Sequence, residues 1–366
     1  MESESDPAGS QRPTRRLALL GLDPPALRAA LADDPEMQGE PGYRLTQITR
    51  WIGERRARSF EEMSNLPAEL RDRLATRFSL GDAEAAFEAR SEDGTIKHLW
   101  RLADGVQVES VLIPTSDRVT LCLSSQAGCA LGCRFCATGQ LGFTRQLSAA
   151  EIVEQFRNAD RISSEAFGRR IGNVVYMGMG EPFANSGPVF ESLTILHRGF
   201  GFGARRITLS TVGLVPGIRE LGSRPEPFRL AVSLHAPDSA LRAELMPVER
   251  RYPLDELMEA VREYQARKGR RVSFEYAMID GLNDGVALAR ALVDRLEGIA
   301  GYVNLIPYNP IPGTEWGPSP PDRIDAFRAA LEEGGVPAAV RTPRGRDIAA
   351  ACGQLRLERR IIESAD

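Results

Sequence analysis

Hydrophobic positions recur with two different periods along this chain, and the change of period divides it. From Leu17 to about Leu80 they fall at helical spacing. This predicts helices over Pro25–Leu31, Leu45–Arg56 and Pro67–Arg77, with Asn65 as N-cap of the third and Pro67 near its first turn. Between Ala86 and Ile113 the alternation is partial, through Leu99, Leu102, Val106, Val108, Val111 and Ile113, and predicts two or three antiparallel strands. From Val119 onward strand and helix patterns alternate. Strands are predicted at Val119–Ser124, Asn173–Met177, Arg206–Ser210, Arg229–Ser233, Val272–Met278, Tyr302–Ile306 and Ala338–Arg341. Helices are predicted at Ala149–Asp160, Val189–Arg198, Leu254–Lys268, Gly285–Leu296 and Pro321–Glu333. Such βα units imply a parallel sheet with right-handed crossovers. Six or so of them fit an open, partial (β/α)6-type barrel better than a doubly wound sheet. Ligands of such an α/β fold sit at the C-terminal ends of the strands.

With 366 residues, 42% of them hydrophobic, the chain can bury one large core and a smaller unit. The expected division is a disordered tail (1–14), a helical unit (15–85), a β extension (86–114), the barrel (115–347) and a C-terminal segment (348–366). Met1–Arg12 has no basic n-region and no apolar h-region, so no secretory signal is expected. No stretch approaches the roughly 20 apolar residues of a membrane helix. A cytoplasmic protein without a membrane partner is the expectation. A net charge of −4 argues against bulk nucleic-acid binding but leaves room for a local basic face. Arg50, Arg55, Arg56 and Arg58 cluster early, and Arg267, Lys268, Arg270 and Arg271 form the densest group.

The five cysteines are a poor disulfide framework, because four fall within Cys122–Cys136 and the count is odd. Cys129, Cys133 and Cys136 form a C-x₃-C-x₂-C run directly after the first strand of the barrel pattern. Three thiolates this close can hold three irons of a [4Fe–4S] cluster and leave the fourth open to a substrate or cofactor. Gly128, Gly132 and Gly139 let the loop wrap around it. Structural zinc needs four Cys or His ligands, and none of His98, His197 and His235 is spaced near the run. A ferredoxin-type site needs a fourth nearby Cys, and the next is Cys352. Buried inert thiols leave the spacing unexplained.

C-x₃-C-x₂-C after strand one, with Phe135 before its last Cys, resembles the signature of the radical S-adenosylmethionine (SAM) enzymes. In that superfamily the open iron holds the amino and carboxylate groups of methionine, and reductive cleavage of SAM gives a 5′-deoxyadenosyl radical. Gly178-Met179-Gly180-Glu181-Pro182, after the second strand, resembles the motif that binds the methionine amino group. Ser210, Ser233-Leu234-His235 and Asn309, at later strand ends, complete the expected cofactor-binding set with Gly180 and Glu181.

Cys122 and Cys352 remain, and each taken alone reads as a buried small hydrophobe. The whole pattern, however, resembles one family: the adenine-C2 methyltransferases of 23S rRNA and tRNA, the RlmN/Cfr family. Matching segments are Tyr43–Pro67, Glu109–Arg145, Met177–Pro182, Arg205–Pro216, Ser233–Pro237, Arg251–Leu254, Asn304–Pro310 and Arg344–Leu355. The resemblance implies a methyl group carried on Cys352 and formed from one SAM, a second SAM cleaved at the cluster, and a Cys352-linked radical adding to adenine C2. Glu109 or Cys122 then removes the C2 proton, Glu109 matching the family's proton acceptor. Cys122 resolves the adduct and leaves a transient disulfide.

It further implies 23S rRNA and tRNA as partners, an external flavodoxin-like or ferredoxin-like electron donor, and a monomer. Phe183-Ala184-Asn185 departs from a Leu-rich stretch of many members. The alternatives are a sister branch acting at adenine C8 and a non-catalytic iron–sulfur RNA-binding regulator. Glu181-Pro182 and Ile306-Pro307-Tyr308-Asn309-Pro310 favour the C2 branch over the first. The paired presence of Cys122 and Cys352 speaks against the second.

Overall fold

The long apolar runs become strands of a single sheet. In the computed structural model, which describes residues 16–357, ten strands lie side by side in sequence order: β1 (Glu84–Arg90), β2 (Ile96–Arg101), β3 (Gln107–Pro114), β4 (Val119–Cys122), β5 (Asn173–Tyr176), β6 (Ile207–Thr211), β7 (Arg229–Ser233), β8 (Val272–Met278), β9 (Gly301–Pro307) and β10 (Ala338–Val340). From β1 to β4 the pairing is antiparallel. From β4 to β10 it is parallel. β4 is therefore the seam between the predicted extension and the barrel. No ladder joins β1 to β10 among the described residues, so the sheet is open. The predicted tail at 1–14, and the C-terminal segment beyond 357, lie outside the described residues.

Central strands of a parallel sheet are covered on both faces, and β8 shows it: all seven residues are buried. Glu275 is the one charged member.

The helical unit contains α1 (Pro24–Ala32), α2 (Tyr43–Gly53) and α3 (Ala68–Arg77). It packs on α4 (Ala149–Phe167), which opens with a capping box between Ser148 and Glu151. Crossovers follow through α5 (Ser186–Thr194), α6 (Val215–Ser223), α7 (Ser239–Leu245), α8 (Leu254–Lys268), α9 (Val286–Arg295) and α10 (Pro321–Glu333). No described helix is long and apolar enough to cross a membrane.

Three expectations shift. Asn65 does not cap α3; its Oδ1 accepts from Trp51 Nε1 at 2.5 Å, and Pro67 stands at the N-cap without a side-chain bond. The helix expected to run to Arg198 ends as α5 at Thr194 and continues as a π turn over Ile195–Gly199. Arg56 is not a surface cation. Its guanidinium is largely buried against Asp160 and lies over Phe156 at 4.9 Å.

Candidate active site

The C-terminal ends of β5 to β9 open onto one cavity of about 160 Å³, as the barrel geometry requires. Cys129, Cys133, Cys136, Gly180, Glu181, Ser210, Ser233, His235, Asn309 and Cys352 all line it. A second cavity of about 130 Å³ adjoins it. Their common wall includes Cys136, Asn309, Arg341 and Cys352, and the second is also lined by Cys122.

The cysteine run leaves β4 through a short ladder of Gln126–Gly128 with Phe143–Gln146. Gly128 has φ +76°, and a Cβ there would strike the Gly142 carbonyl. Gly132 is also left-handed, at φ +66°. Gly139 serves differently: it lies in the helical turn Ala137–Leu141, where a Cβ would approach the Cys133 backbone to 3.1 Å. Among the described residues, no three His, Cys, Asp or Glu side chains converge on a single ion. A cubane asks for something else, one thiolate for each of three irons. As bare thiols all three are pushed up by burial, Cys129 to about 11, so each needs a cationic centre to hold it as thiolate. The donor set fits an iron–sulfur cluster.

Glu181 is fully enclosed. Burial pushes its carboxyl up to about 7, although Val212 N–H donates to it at 2.9 Å and Phe183 N–H at 3.1 Å. A cation such as a methionine ammonium would offset that burial and hold the carboxylate ionised. Gly180 takes φ +96° where the chain passes Gln126, whose side chain accepts from Glu181 N–H at 2.8 Å.

His235 sits at φ +59°. Its Nδ1 accepts from Ala277 N–H at 2.9 Å, so the ring proton belongs on Nε2. Burial, then the charge of Arg242, lowers its pKa to about 3 and keeps the ring neutral. Phe135 meets it edge-on at 4.3 Å. Leu234 departs from the expected set: it is buried in the core and does not line the cavity. The Asn309 amide is engaged on both sides, donating to the Cys352 carbonyl at 3.1 Å and accepting from Arg346 Nε at 2.7 Å.

Cys122 lies opposite Val111 on β3 and Val175 on β5. Burial and then the nearby Cys352 push its thiol up to about 12. Cys352 reaches solvent through the cavity, yet the protein around it raises its thiol too. Arg341 opposes that rise and Glu275 adds to it. Glu109 lines neither cavity. It is buried, with Lys97 Nζ at 3.2 Å from Oε1 and Arg356 N–H donating to Oε2 at 3.0 Å.

Sequence reasoning missed Lys97, Glu275 and Arg341. Glu275 carried a signal, a carboxylate inside an otherwise uncharged apolar strand. Lys97 in Ile96-Lys97-His98-Leu99 carried none: periodicity does not show that it pairs with Glu109 across the hairpin, and Ala349 is 252 residues away.

A strand-end cavity holding a three-cysteine loop, a buried glutamate and a neutral, buried histidine is the kind of site a radical SAM enzyme has. The Radical SAM superfamily model matches residues 123–291. The ribosomal RNA large subunit methyltransferase N-terminal domain matches residues 17–80. A probable dual-specificity RNA methyltransferase RlmN of Gemmatimonas aurantiaca is 47% identical over 343 residues, covering 93% of each chain. The dual-specificity RNA methyltransferase RlmN of Anaeromyxobacter dehalogenans is 47% identical over 326 residues, covering 87% of each. The crystal structure of a radical SAM methyltransferase from Sphaerobacter thermophilus superposes with a TM-score of 0.89 at 48% identity, covering 93% of this chain and all of that one. The chain belongs to the RlmN family of dual-specificity RNA methyltransferases, and it is a SAM-dependent enzyme acting on RNA.

Proposed function

We propose that this enzyme forms 2-methyladenosine at the peptidyl-transferase centre of 23S rRNA and 3′ of the anticodon in tRNA, through a methylated Cys352 that Cys122 resolves. One observation carries the reading: Cys352 lies on the wall shared by the two cavities, between the cysteine loop on one side and Cys122 on the other.

Cys129, Cys133 and Cys136 would hold the cluster, and Glu181, Gly180, Ser210, Ser233, His235 and Asn309 would hold SAM. Bound there, the cluster and SAM supply low-potential electrons and a carbon radical able to take hydrogen from a methyl group. Adenine C2 lies between two ring nitrogens and is too electron-poor to attack a sulfonium, so an ordinary transfer fails. Cys352 solves this by carrying the methyl on its own sulfur, where the activated carbon can add to C2. Burial holds its thiol up, and Arg341 beside it offsets part of that rise toward the thiolate that would first accept the methyl. Glu109 or Cys122 takes the C2 proton. Cys122, as thiolate, would then attack the Cys352 sulfur, and the sulfur–carbon bond breaks. The released carbon takes up a proton to become the C2 methyl, and the adduct's unpaired electron passes to the oxidised cluster that the site would hold. The disulfide left behind is cleared by outside reductant.

Two SAM molecules are used per turnover, and a flavodoxin-like or ferredoxin-like donor supplies electrons. The target base must be extruded from its helix. The helical unit at 15–85 grips RNA phosphates, with Arg55 and Arg58 as exposed cations. The enzyme works as a cytoplasmic monomer.

The test is to supply reconstituted protein with SAM, reductant and either 23S fragments or tRNA, and to locate the methyl by mass spectrometry. Methyl at C2 of adenosine in both RNAs is expected, with a covalent RNA adduct accumulating on Cys122→Ala. Methyl at C8, or no modified RNA, overturns the proposal.

A further inference from the structure

We infer that Lys97 and Glu109 form a clip that closes the base of the Cys352 loop, which makes Lys97 a positioning residue for methyl transfer. The inference rests on the role proposed for Cys352.

Lys97 on β2 and Glu109 on β3 have side chains 3% and 2% exposed, with 3.2 Å between Nζ and Oε1. A lysine is almost never buried this far unless its charge is met. The C-terminal segment completes the arrangement from both directions. Lys97 Nζ also donates to the carbonyl of Ala349, three residues before Cys352, at 3.3 Å. Glu109 Oε2 accepts from the peptide N–H of Arg356, four residues after it, at 3.0 Å. One buried ion pair thus binds both ends of the loop.

Register places the clip beside the second thiol. Val111 on β3 is the Cα partner of Lys97 on one side and of Cys122 on the other. Glu109 lies two residues before Val111, so all of them share one face of the sheet. Ala349 supplies a further sign of constraint: it is a non-glycine residue at φ +49°, a conformation that persists only where its surroundings enforce it. The Lys97 bond to its carbonyl is one such restraint. Other bonds to the segment act on one end or the top: Ser91 Oγ to Asp347 at 2.6 Å before the loop, and Ala137 N–H to the Gly353 carbonyl at 2.7 Å over the cysteine run.

The clip also assigns Glu109 two exclusive states. Both carboxylate oxygens are engaged, and Glu109 lines neither cavity. Its carboxylate reaches a substrate proton only when the clip opens, and opening releases the Cys352 loop in the same movement. Proton removal and presentation of Cys352 sulfur to Cys122 are thereby tied to one event.

Hydrogen exchange on the full chain reads the clip without any chemistry. Lys97→Met should raise exchange of amides 350–356 about tenfold while β7, β8 and β9 keep their protection. Glu109→Gln should act on the same amides, and the double variant should be no worse than the stronger single one, as two halves of one contact require. In turnover, kcat should fall about tenfold in Lys97→Met with KM for SAM unchanged. Unchanged exchange at 350–356, a rise spread over the whole sheet, additive single effects, or a raised KM with kcat intact each overturn the clip. Failure of the Cys352 reading looks different: the wild-type protein supplied with SAM then shows no methyl on Cys352 by mass, whatever the exchange pattern.

Discussion

His98 and His235 are both kept from protonating by burial, but only His235 faces the cavity. His98 stacks on Trp100 at 5.1 Å, with Nε2 3.0 Å from Glu88 Oε2, and burial outweighs that carboxylate in lowering its pKa below 6.5. The folded state therefore binds fewer protons than the unfolded chain once the pH falls below about 6.5. The stability His98 contributes is complete above that value and is lost progressively as the pH drops. His98→Gln should flatten the fall of Tm between pH 7.5 and pH 5 in thermal melts. An identical slope in variant and wild type would remove His98 as a source of acid lability. Gly180 answers to backbone geometry instead. At φ +96° a Cβ would come within 2.5 Å of the Gln126 side chain and 2.8 Å of its peptide nitrogen. Gly180→Ala should cost about 1–3 kcal/mol in denaturant unfolding and weaken SAM binding by calorimetry, because Glu181 is carried on the same turn.

At the scale of elements, adjacent residues after α2 have opposite tasks. Arg55 is exposed and lies over the Trp51 ring at 4.3 Å, a flat cationic surface suited to a nucleobase or phosphate. Arg56 turns inward at φ +58° to pair with Asp160 on α4, joining the helical unit to the barrel. Arg55→Glu should lower RNA affinity and shallow its salt dependence with Tm unchanged. Arg56→Ala should instead cost about 3–5 kcal/mol, since Asp160 is left with its buried charge poorly met. If Arg56→Ala melts like wild type, the pair does not join the two units. Periodicity made the strong elements legible: β7, β8, α8 and α10 run over the spans their patterns predict. It could not separate Arg55 from Arg56, because which arginine turns inward depends on a left-handed backbone step and on Asp160, far along the chain. Asn65 was misread for a related reason. Its local context suits an N-cap, while a tryptophan fourteen residues earlier takes its side chain.

At the scale of the molecule, the cysteine run and the strand-end residues were legible because each follows its own strand, and a parallel barrel brings such ends together whatever the intervening helices contain. The clip and the loop it closes were not, because their contacts span some of the longest sequence separations in the fold, 247 residues for Arg356 with Glu109 and 256 for Ser91 with Asp347. The same separations bear on how the molecule assembles. Strands in sequence order pair with the neighbour just made: β1 to β4 by short turns, β5 to β10 by one crossover each. Contacts this local form early, whereas closure over some 250 residues comes late. On that ordering the segment bearing Cys352 is expected to dock onto a sheet already complete, with Gly353 closing over Ala137 last. Until that moment Cys129, Cys133 and Cys136 would stand open to iron and sulfide, so on the proposed function the order of folding would set aside an interval for loading the cluster before Cys352 is put in place.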